Sequence, residues 1–527
     1  MSANNNTKKL TLVSLILMIF TSVFGFANMP RAFYLMGYAA IPWYLFSAIL
    51  FFIPYAFMMA EYGSAYRNET GGIYSWMQNS VGGKYAFMTT FMWYSSYIVW
   101  MVNTSSSIWI PLLNAIFGYD KTSEFTLLGL NATQCLGILA VIWILVVTYI
   151  STKGVGVITK ITSIGGTAIA LLNIVLLIGG LTVLFLNKGR LAQPIQSIVN
   201  SFTISPNPAY QTIISIFSFL TYAIFAYGGL EAIGGLVDQT ENAEKNFPKG
   251  VTISALVIAA GYAIGIFSCG LFTNWNSILS SEGVNMANVT YILMQNLGYE
   301  LGLAFGISPQ SALTIGLWVA RFTGLSMFLA LSGAFFTLTY SPLKTLIQGA
   351  PQEVWPGNFA KLEDGMPKNA MKIQAAIVII LIVLVSFGGK GAAEFFSLLI
   401  SMTNVAMTIP YVFLAAAFPA FKKKQLKGQA LESFVVYKTY TPALVATVIV
   451  SIVVTFANIF SIIEPALSGQ VLDTIMMIAG PIIFALIAFV LYSNYEKKYT
   501  KKKRMWLIKK NCYTNRFIYL YNSSFFM

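Results

Sequence analysis

Two short glycine-containing stretches interrupt long apolar segments, and their backbone atoms are suited to bind a small polar ligand. The first stretch is residues 25–28 (GFAN) with Pro30 close behind, and the second is residues 228–229 (GG) followed by Glu231. Glycine inside a helix costs about 1 kcal/mol relative to alanine, and proline costs about 3 kcal/mol. We therefore predict that both helices unwind at these points.

Unwound helical backbone offers two kinds of free group. The N–H groups at the start of a half-helix, with the positive end of its dipole, suit a carboxylate, and the carbonyls at the end of the other half-helix suit an ammonium group. A pocket that contains both kinds of group fits the part that all amino acids share. The paired breaks therefore predict a binding site for a zwitterion near the middle of the helices.

Glu231 is the second chemically informative feature, because it is an acid inside an apolar segment. A carboxylate in the hydrocarbon region costs roughly 2.5–3.5 kcal/mol on insertion scales, so such residues tend to face a cavity and to be functional. Glu231 could exchange a proton or sense an occupied site. It could also make a structural hydrogen bond to an N–H group of the broken helix, and the two roles can coexist.

The elements that must position these residues are membrane-spanning helices. Of 527 residues, 57% are hydrophobic and only 9% are charged, whereas a soluble protein has roughly a quarter charged. Apolar blocks of about 20 residues recur along the chain without the alternation of a β-barrel. We predict an all-α polytopic membrane protein with about twelve spans. They lie near residues 10–36, 41–60, 86–118, 126–150, 158–186, 210–237, 250–273, 312–340, 373–388, 393–419, 441–461 and 472–493.

The basic residues predict the orientation of these spans. With the N-terminus inside and no cleaved signal peptide, 26 of the 32 Lys and Arg residues fall on the cytoplasmic side. Such an excess is the positive-inside pattern, so the net charge of +14 indicates topology and contact with membrane lipid rather than nucleic acid. The prediction is a multi-pass protein of a bacterial cytoplasmic membrane, with both termini cytoplasmic.

The breaks fall in the first and sixth spans, about 200 residues apart. Corresponding interruptions in two halves of a chain indicate two five-helix repeats of inverted topology. The predicted organisation is a cytoplasmic N-terminus (1–9), a first repeat (10–186), a second repeat (210–420), two further spans (441–493) and a basic cytoplasmic tail (494–527). The outward segment 274–311 is too broken to span and is expected to form a partly helical cover over the outer vestibule.

Several classes of protein are excluded or disfavoured. The chain has no histidine and three cysteines, so we expect no metal site, no cofactor and no His-based enzyme. It has no phosphate-binding GxxxxGK[ST] segment, which disfavours a primary pump, and no ring of filter residues typical of a channel. A secondary transporter remains. The sequence leaves its oligomeric state open, a homodimer included.

Five motifs, in order, resemble the amino acid–polyamine–organocation (APC) superfamily and its glutamate/GABA antiporter group. They are GFANMP in span 1, AEYGSAYRNETGGIYSWM after span 2, FAYGGLEA with ENAEKNFPKG in and after span 6, YSPLKTLIQ with VWPGNFAKLEDGMP after span 8, and SMTNVAMTIPY in span 10. The resemblance covers residues 10–493. It implies the LeuT/APC-type 5+5 inverted repeat and the alternating-access transport of an amino acid, by exchange or with a proton or counter-substrate.

The resemblance also implies roles for individual residues. Residues 25–28 would receive the substrate carboxylate, and residues 226–228 would meet its amino group. An aromatic residue of span 3, either Trp93 or Tyr94, would act as a gate together with Phe225, which closes over the substrate, and Tyr411, which gates the inner side. The substrate-binding candidates are Gly25, Phe26, Ala27, Asn28, Phe225, Ala226, Tyr227, Gly228, Glu231 and Thr403.

Coupling and substrate are open at this stage. Some proton-coupled relatives have a lysine in span 5, where this chain has Lys160, which also fits a simple positive-inside anchor; Glu231 is the other coupling candidate. Sodium-coupled relatives use span-8 hydroxyls, and this chain has Thr323, Ser326, Ser332, Thr337 and Thr339. A sodium symporter and a polyamine or organic-cation exchanger are the alternatives.

The chain departs from the family pattern at the pocket. Phe26 is bulky where relatives have a small residue beside the pocket, which leaves the identity of the substrate open. Gln239, Ala243 and Pro342 replace usual residues near the inner ends of spans 6 and 8. The central helices carry no basic residue that clearly faces the pocket. This disfavours glutamate and favours a neutral or zwitterionic substrate.

Overall fold

The computed structural model describes residues 9–124, 126–127, 129–428 and 433–523, with side chains undescribed at 123, 392–393, 395–397, 404 and beyond 499. Helices dominate, and the described residues form only isolated β-bridges and no strand. The predicted all-α class is confirmed. Residues 1–8 of the predicted cytoplasmic N-terminus and the last four residues of the predicted tail lie outside the described part.

Eighteen α-helices follow one another along the described chain. They are α1 (Leu12–Val23), α2 (Asn28–Met36), α3 (Ala40–Ser47), α4 (Ile53–Ala65), α5 (Gly72–Val81), α6 (Gly83–Ser107), α7 (Trp109–Phe117), α8 (Ala132–Ser151), α9 (Val155–Leu186), α10 (Ile198–Thr203), α11 (Ile213–Phe225), α12 (Ala243–Phe272), α13 (Val289–Ala304), α14 (Pro309–Gly349), α15 (Lys368–Phe387), α16 (Gly389–Leu426), α17 (Tyr440–Leu467) and α18 (Val471–Ser523).

Ten segments of the described chain are long and apolar enough to cross a membrane. One of them, Leu12–Ala65, contains two of the predicted spans, and α6 falls outside the ten although its 25 residues are long enough to cross a bilayer. All twelve predicted spans coincide with helical segments. The polytopic architecture is confirmed, whereas the inverted symmetry of the two repeats stays a prediction.

Some boundaries differ from the predictions. Helix α14 is 41 residues long and ends at Gly349, nine residues beyond the predicted end of span 8. Helix α18 continues without interruption from Val471 to Ser523, so the predicted tail is not a separate segment in the described part. The outward segment 274–311 is partly helical as predicted, with a π-turn at Trp275–Leu279 and helix α13. Helix α13 packs on α14, α9 and α2.

Two glycines of α9 allow the backbones of α1 and α14 to approach it closely. A Cβ atom added at Gly166 would lie 2.5 Å from the carbonyl oxygen of Leu17 in α1, and one at Gly165 would lie 2.6 Å from the carbonyl of Leu329 in α14. Membrane helices pack through small residues in this way because lipid provides no hydrophobic drive for their association. Helix α1 is therefore held against α9 just below its break.

Candidate substrate site

The first break separates α1 from α2. Helix α1 ends at Val23 and α2 begins at Asn28, so residues 24–27 are non-helical. The N–H groups of Phe26 and Ala27 have no hydrogen-bond partner among the described residues, and no side chain caps α2. These free donors lie at the positive end of the α2 dipole. The predicted break is confirmed, and its free N–H groups suit an anionic group.

The second break follows α11. Helix α11 ends at Phe225, residues 226–229 form turns, and a 3-10 helix at Leu230–Gln239 continues the span. In the described structure, the carbonyls of Tyr227 and Gly228 accept no hydrogen bond. Free acceptors at this end complement the free donors of the first break. The second predicted interruption is confirmed as well, although its inner half is a 3-10 helix and not an α-helix.

Gly229 brings the two breaks into contact. Its φ of +108° is rarely adopted by residues with a side chain, and an added Cβ atom would lie 2.4 Å from the carbonyl oxygen of Ser22. The hydroxyl of Ser22 is buried beside this contact without a hydrogen-bond partner in the described part. The site thus contains one unused side-chain hydroxyl in addition to the free backbone groups.

Tyr262 of α12 ties both breaks together. Its hydroxyl accepts hydrogen bonds from the Gly25 N–H (3.0 Å) and the Asn28 side-chain amide (3.1 Å), and it lies 3.1 and 3.0 Å from the carbonyls of Val23 and Ala226. A phenol hydroxyl has one proton to donate, so the two carbonyls share it. The sequence did not single out Tyr262, because one tyrosine in an apolar helix carries no distinguishing pattern.

Glu231 lies at the start of the 3-10 helix and is 1% exposed. Its Oε1 accepts hydrogen bonds from Trp93 Nε1 (3.3 Å), Tyr97 OH (3.4 Å) and Tyr411 OH (3.3 Å), and its Oε2 accepts one from the Gly229 N–H (3.2 Å). The structural hydrogen bond to the broken helix is therefore present. The carboxylate also connects α6 and α16 to the break.

Of the two aromatic candidates in α6, only Trp93 belongs to this network. Tyr94 faces α15 instead, where its hydroxyl donates to Gln374 Oε1 at 2.7 Å. Tyr97 lies one turn from Trp93 and contacts the same carboxylate. Sequence reasoning missed Tyr97, although its spacing of four residues from Trp93 places both on one helical face.

A cavity of about 740 Å³ extends outward from the breaks. It reaches residues at the outer ends of α17 and α18, and a smaller cavity of about 330 Å³ lies directly between the two breaks. Phe225 lines both cavities, and Tyr411 lies at the larger one while accepting a hydrogen bond from the Gly229 N–H (3.1 Å). The larger cavity is lined by Thr21, Ser22, Tyr97, Trp100, Phe225, Gly228, Gly229, Leu331, Ala334, Leu338, Met407, Thr408, Tyr411, Ser461, Glu464, Pro465, Ser468, Gln470 and Met477.

Five of the predicted substrate-binding residues line neither cavity: Phe26, Ala27, Tyr227, Glu231 and Thr403. Phe26 is fully buried in the core, so its bulky ring does not face either cavity. The Tyr227 ring stacks on Phe52 at 4.6 Å, which leaves only backbone atoms for a ligand. Thr403 donates to the Ile400 carbonyl of its own helix, and Met407 and Thr408 line the cavity instead.

The residues that line the cavities support neither proton coupling through Lys160 nor sodium binding by the span-8 hydroxyls. Lys160 is exposed and lies outside both cavities. None of the five span-8 hydroxyls lines them; Thr323 and Ser332 donate to carbonyls of their own helix, and the Thr337 hydroxyl is 3.1 Å from that of Thr162. The residues that the structure describes contain no cluster of three or more His, Cys, Asp and Glu that could hold a metal ion.

On the cytoplasmic side of the breaks, two buried ion pairs join neighbouring helices. Lys344 Nζ lies 2.5 Å from Asp238 Oδ1 and donates to the Gly235 carbonyl at 2.8 Å, which ties the 3-10 helix to α14. Lys422 Nζ lies 2.8 Å from Glu61 Oε2, and both side chains are fully buried. The lining of the larger cavity ends at the exposed residues Ser468 and Gln470 between α17 and α18, whereas these ion pairs lie on the other side of the breaks.

Comparisons with known proteins agree with this architecture. A family model described as amino acid permease matches residues 10–490. The chain is 53% identical to the inner membrane transporter YjeM of Escherichia coli over 504 residues, which is 95% of this chain and 99% of that protein. It is 24% identical to the aspartate/glutamate permease AcaP of Lactococcus lactis (78% and 80% covered) and 22% identical to a glutamate/gamma-aminobutyrate antiporter of the same species (86% and 84% covered).

Proposed function

Because the chain belongs to the amino acid permease family, we propose that it carries an amino acid or amino acid derivative by alternating access. It is a multi-pass transporter of the bacterial inner membrane and not an enzyme. The proposal concerns the substrate, the site and the coupling.

The main support for this proposal is that free backbone donors at the first break lie near free backbone acceptors at the second. The N–H groups of Phe26 and Ala27 would bind the α-carboxylate, and the carbonyls of Tyr227 and Gly228 would bind the α-ammonium group. The buried, unused hydroxyl of Ser22 lies between them as a third polar contact. Both charges of a zwitterion would be matched without any charged side chain.

The same free backbone groups favour an amino acid over a polyamine, and the cavity lining bears on the sodium-coupled alternative. A polyamine has no carboxylate to accept hydrogen bonds from the donors at the start of α2, whereas an amino acid does. The sodium alternative was based on the span-8 hydroxyls, and these residues do not line the cavity. Among the residues that the structure describes, no Lys or Arg lines the larger cavity, which supports a substrate other than an acidic amino acid.

Glu231 supports coupling by a proton or by the substrate itself. A proton on its carboxylate would remove the negative charge and add a donor, which would weaken the hydrogen bonds that Trp93, Tyr97, Tyr411 and Gly229 donate to it. The change would loosen the break and the Tyr411 contact together. In an exchanger, the arriving substrate would produce the same loosening.

The test is a counterflow screen with the purified full chain in liposomes. Labelled forms of the twenty amino acids, GABA and polyamines are offered outside against each unlabelled compound inside, at about pH 5.5 and about pH 7.5. We expect saturable counterflow of at least one amino acid and none of a polyamine. Exchange of polyamines alone, or of no compound in the panel, would contradict the proposal.

A further inference from the structure

One charged side chain, Glu464 near the outer end of α17, lines the larger cavity among the residues described. Its carboxylate accepts a hydrogen bond from the hydroxyl of Ser218 in α11. No Lys or Arg nitrogen of the described structure lies within ion-pair distance of it. Glu464 is thus a half-buried carboxylate that faces the cavity without a cationic partner.

The rest of the cavity lining also favours a cation. Four aromatic side chains, those of Tyr97, Trp100, Phe225 and Tyr411, line it together with the thioethers of Met407 and Met477. Aromatic faces attract ammonium and guanidinium groups by up to about 2 kcal/mol where water is excluded. Methionine adds a soft surface that adapts to the shape of a flexible side chain.

The position of Glu464 sets the length of the ligand. Ser218 and Phe225 are seven residues apart in α11, so the carboxylate bound to Ser218 lies about 10 Å further outward along the helix than Phe225. An amino acid bound by its backbone groups at the breaks would need a long side chain to place its end near Glu464. Lysine and arginine have such side chains, and both end in a permanent positive charge.

We propose that Glu464 is a specificity-determining residue that receives the cationic end of the substrate, and that basic amino acids are the preferred substrates. This inference rests on the proposed function, because the breaks must bind the amino acid backbone. A neutral substrate leaves the Glu464 carboxylate unpaired, and an acidic substrate is repelled by it. Specificity here comes from a favourable contact with one class and an unfavourable contact with the other.

The alternative role for Glu464 is structural, because its hydrogen bond to Ser218 joins α17 to α11. Glu464→Gln keeps an acceptor oxygen for this bond and removes only the charge. Ser218→Ala removes the bond and keeps the charge. The two variants therefore separate recognition of a cation from support of the helix contact.

The experiment measures counterflow of labelled L-lysine, L-arginine, L-leucine and L-glutamate by the full chain in liposomes. We expect the unmodified protein to transport lysine and arginine at lower half-saturating concentrations than leucine, and to transport glutamate least. In Glu464→Gln the half-saturating concentrations of lysine and arginine should rise about tenfold or more, while that of leucine changes less than about threefold. Ser218→Ala should keep the preference for basic substrates.

Asp473→Asn is the matched control. Asp473 also lies at the outer end of the molecule, but it accepts a hydrogen bond from Ser401 (2.7 Å) and does not line the cavity. Its neutralisation should leave all four half-saturating concentrations unchanged. An equal effect of both neutralised acids would indicate a general surface potential and would overturn the assignment of Glu464.

The outcomes distinguish this inference from the proposed function. If leucine or glutamate is exchanged and the basic amino acids are not, or if Glu464→Gln leaves lysine and arginine kinetics unchanged, the inference is wrong while the amino acid site stands. If none of the twenty amino acids is exchanged, the proposed function itself fails.

Discussion

The outer and inner halves of the molecule differ in whether their buried polar groups have partners within the protein. In the outer half, the Glu464 carboxylate at a cavity of about 740 Å³ and several backbone groups at the breaks have no partner among the described residues. In the inner half, the buried charges are paired, as in Lys422 with Glu61 and Lys344 with Asp238. The outer carboxylate and backbone groups could therefore bind a ligand, whereas the inner charged side chains bind one another.

The inner contacts show what must separate for substrate to leave on that side. Glu61 also accepts hydrogen bonds from the backbone N–H groups of Val436 (2.7 Å) and Tyr437 (2.6 Å), so it holds the segment after α16 against α4. Lys344 holds the 3-10 helix against α14 through the Gly235 carbonyl. An inward-facing state would have to exchange these contacts for others, while the outer cavity closes over Phe225.

The largest expected effect tests the inner half. Lys422→Met leaves the Glu61 carboxylate buried without its cation, which costs about 3–5 kcal/mol. We expect a strong loss of thermal stability of the purified protein in detergent. The control is Lys368→Met, which breaks a contact of 2.6 Å with the exposed Asp364 four residues earlier and should change stability by less than about 1 kcal/mol. Equal stability of the two variants would mean that the inner ion pair does not close the molecule.

A smaller effect is expected where the two halves meet, at Gly229. Gly229→Ala places a Cβ atom 2.4 Å from the Ser22 carbonyl and strains a backbone with φ of +108°, which costs about 1–3 kcal/mol. The breaks must move apart, so substrate affinity in counterflow should fall roughly tenfold to hundredfold. Gly156→Ala, where an added Cβ atom meets nothing within 4 Å, should transport normally. Normal transport by Gly229→Ala would show that the contact between the breaks is dispensable.

The smallest expected effect concerns Glu231, which lies between the outer and inner halves. Glu231→Gln keeps a side chain of the same shape but removes the proton-binding carboxylate, so transport should lose its dependence on pH while the protein stays folded in detergent. The pH profile of counterflow, measured between about pH 5.5 and about pH 7.5, checks this prediction. Glu244→Gln, at an exposed inner position, should keep the original profile. An unaltered profile in Glu231→Gln would remove this residue from coupling.

Local backbone chemistry made the breaks predictable from sequence. The costs of glycine and proline in a helix act within one turn, so both unwound stretches were located to within a residue or two, and Glu231 stood out as an acid in an apolar helix. The spans were predictable because lipid requires long apolar helices. The ends of α14 and α18 were not, because both helices continue through polar residues that hydropathy assigns to loops.

The partners of the breaks depend on tertiary packing and were largely missed. Tyr262 comes from α12, more than 230 residues from Gly25, and nothing in its local sequence marks it. The rotation of α6 decided between Trp93 and Tyr94, and the rotation of α16 replaced Thr403 by its neighbours one turn on. These rotations are set by packing against other helices, which a single sequence does not encode in a readable pattern.

The most direct test of the central claim is substrate protection at the first break from the outer side. Thr21, which lines both cavities, is replaced by cysteine in a chain without Cys135, Cys269 and Cys512, and membrane-impermeant thiol reagent is added outside. The control is Ser277→Cys in the exposed outer segment. An amino acid that exchanges in counterflow should slow labelling at residue 21 in proportion to its occupancy and leave residue 277 unaffected. Labelling of residue 21 that is unchanged by a saturating exchanged amino acid would contradict a substrate site at the helix breaks.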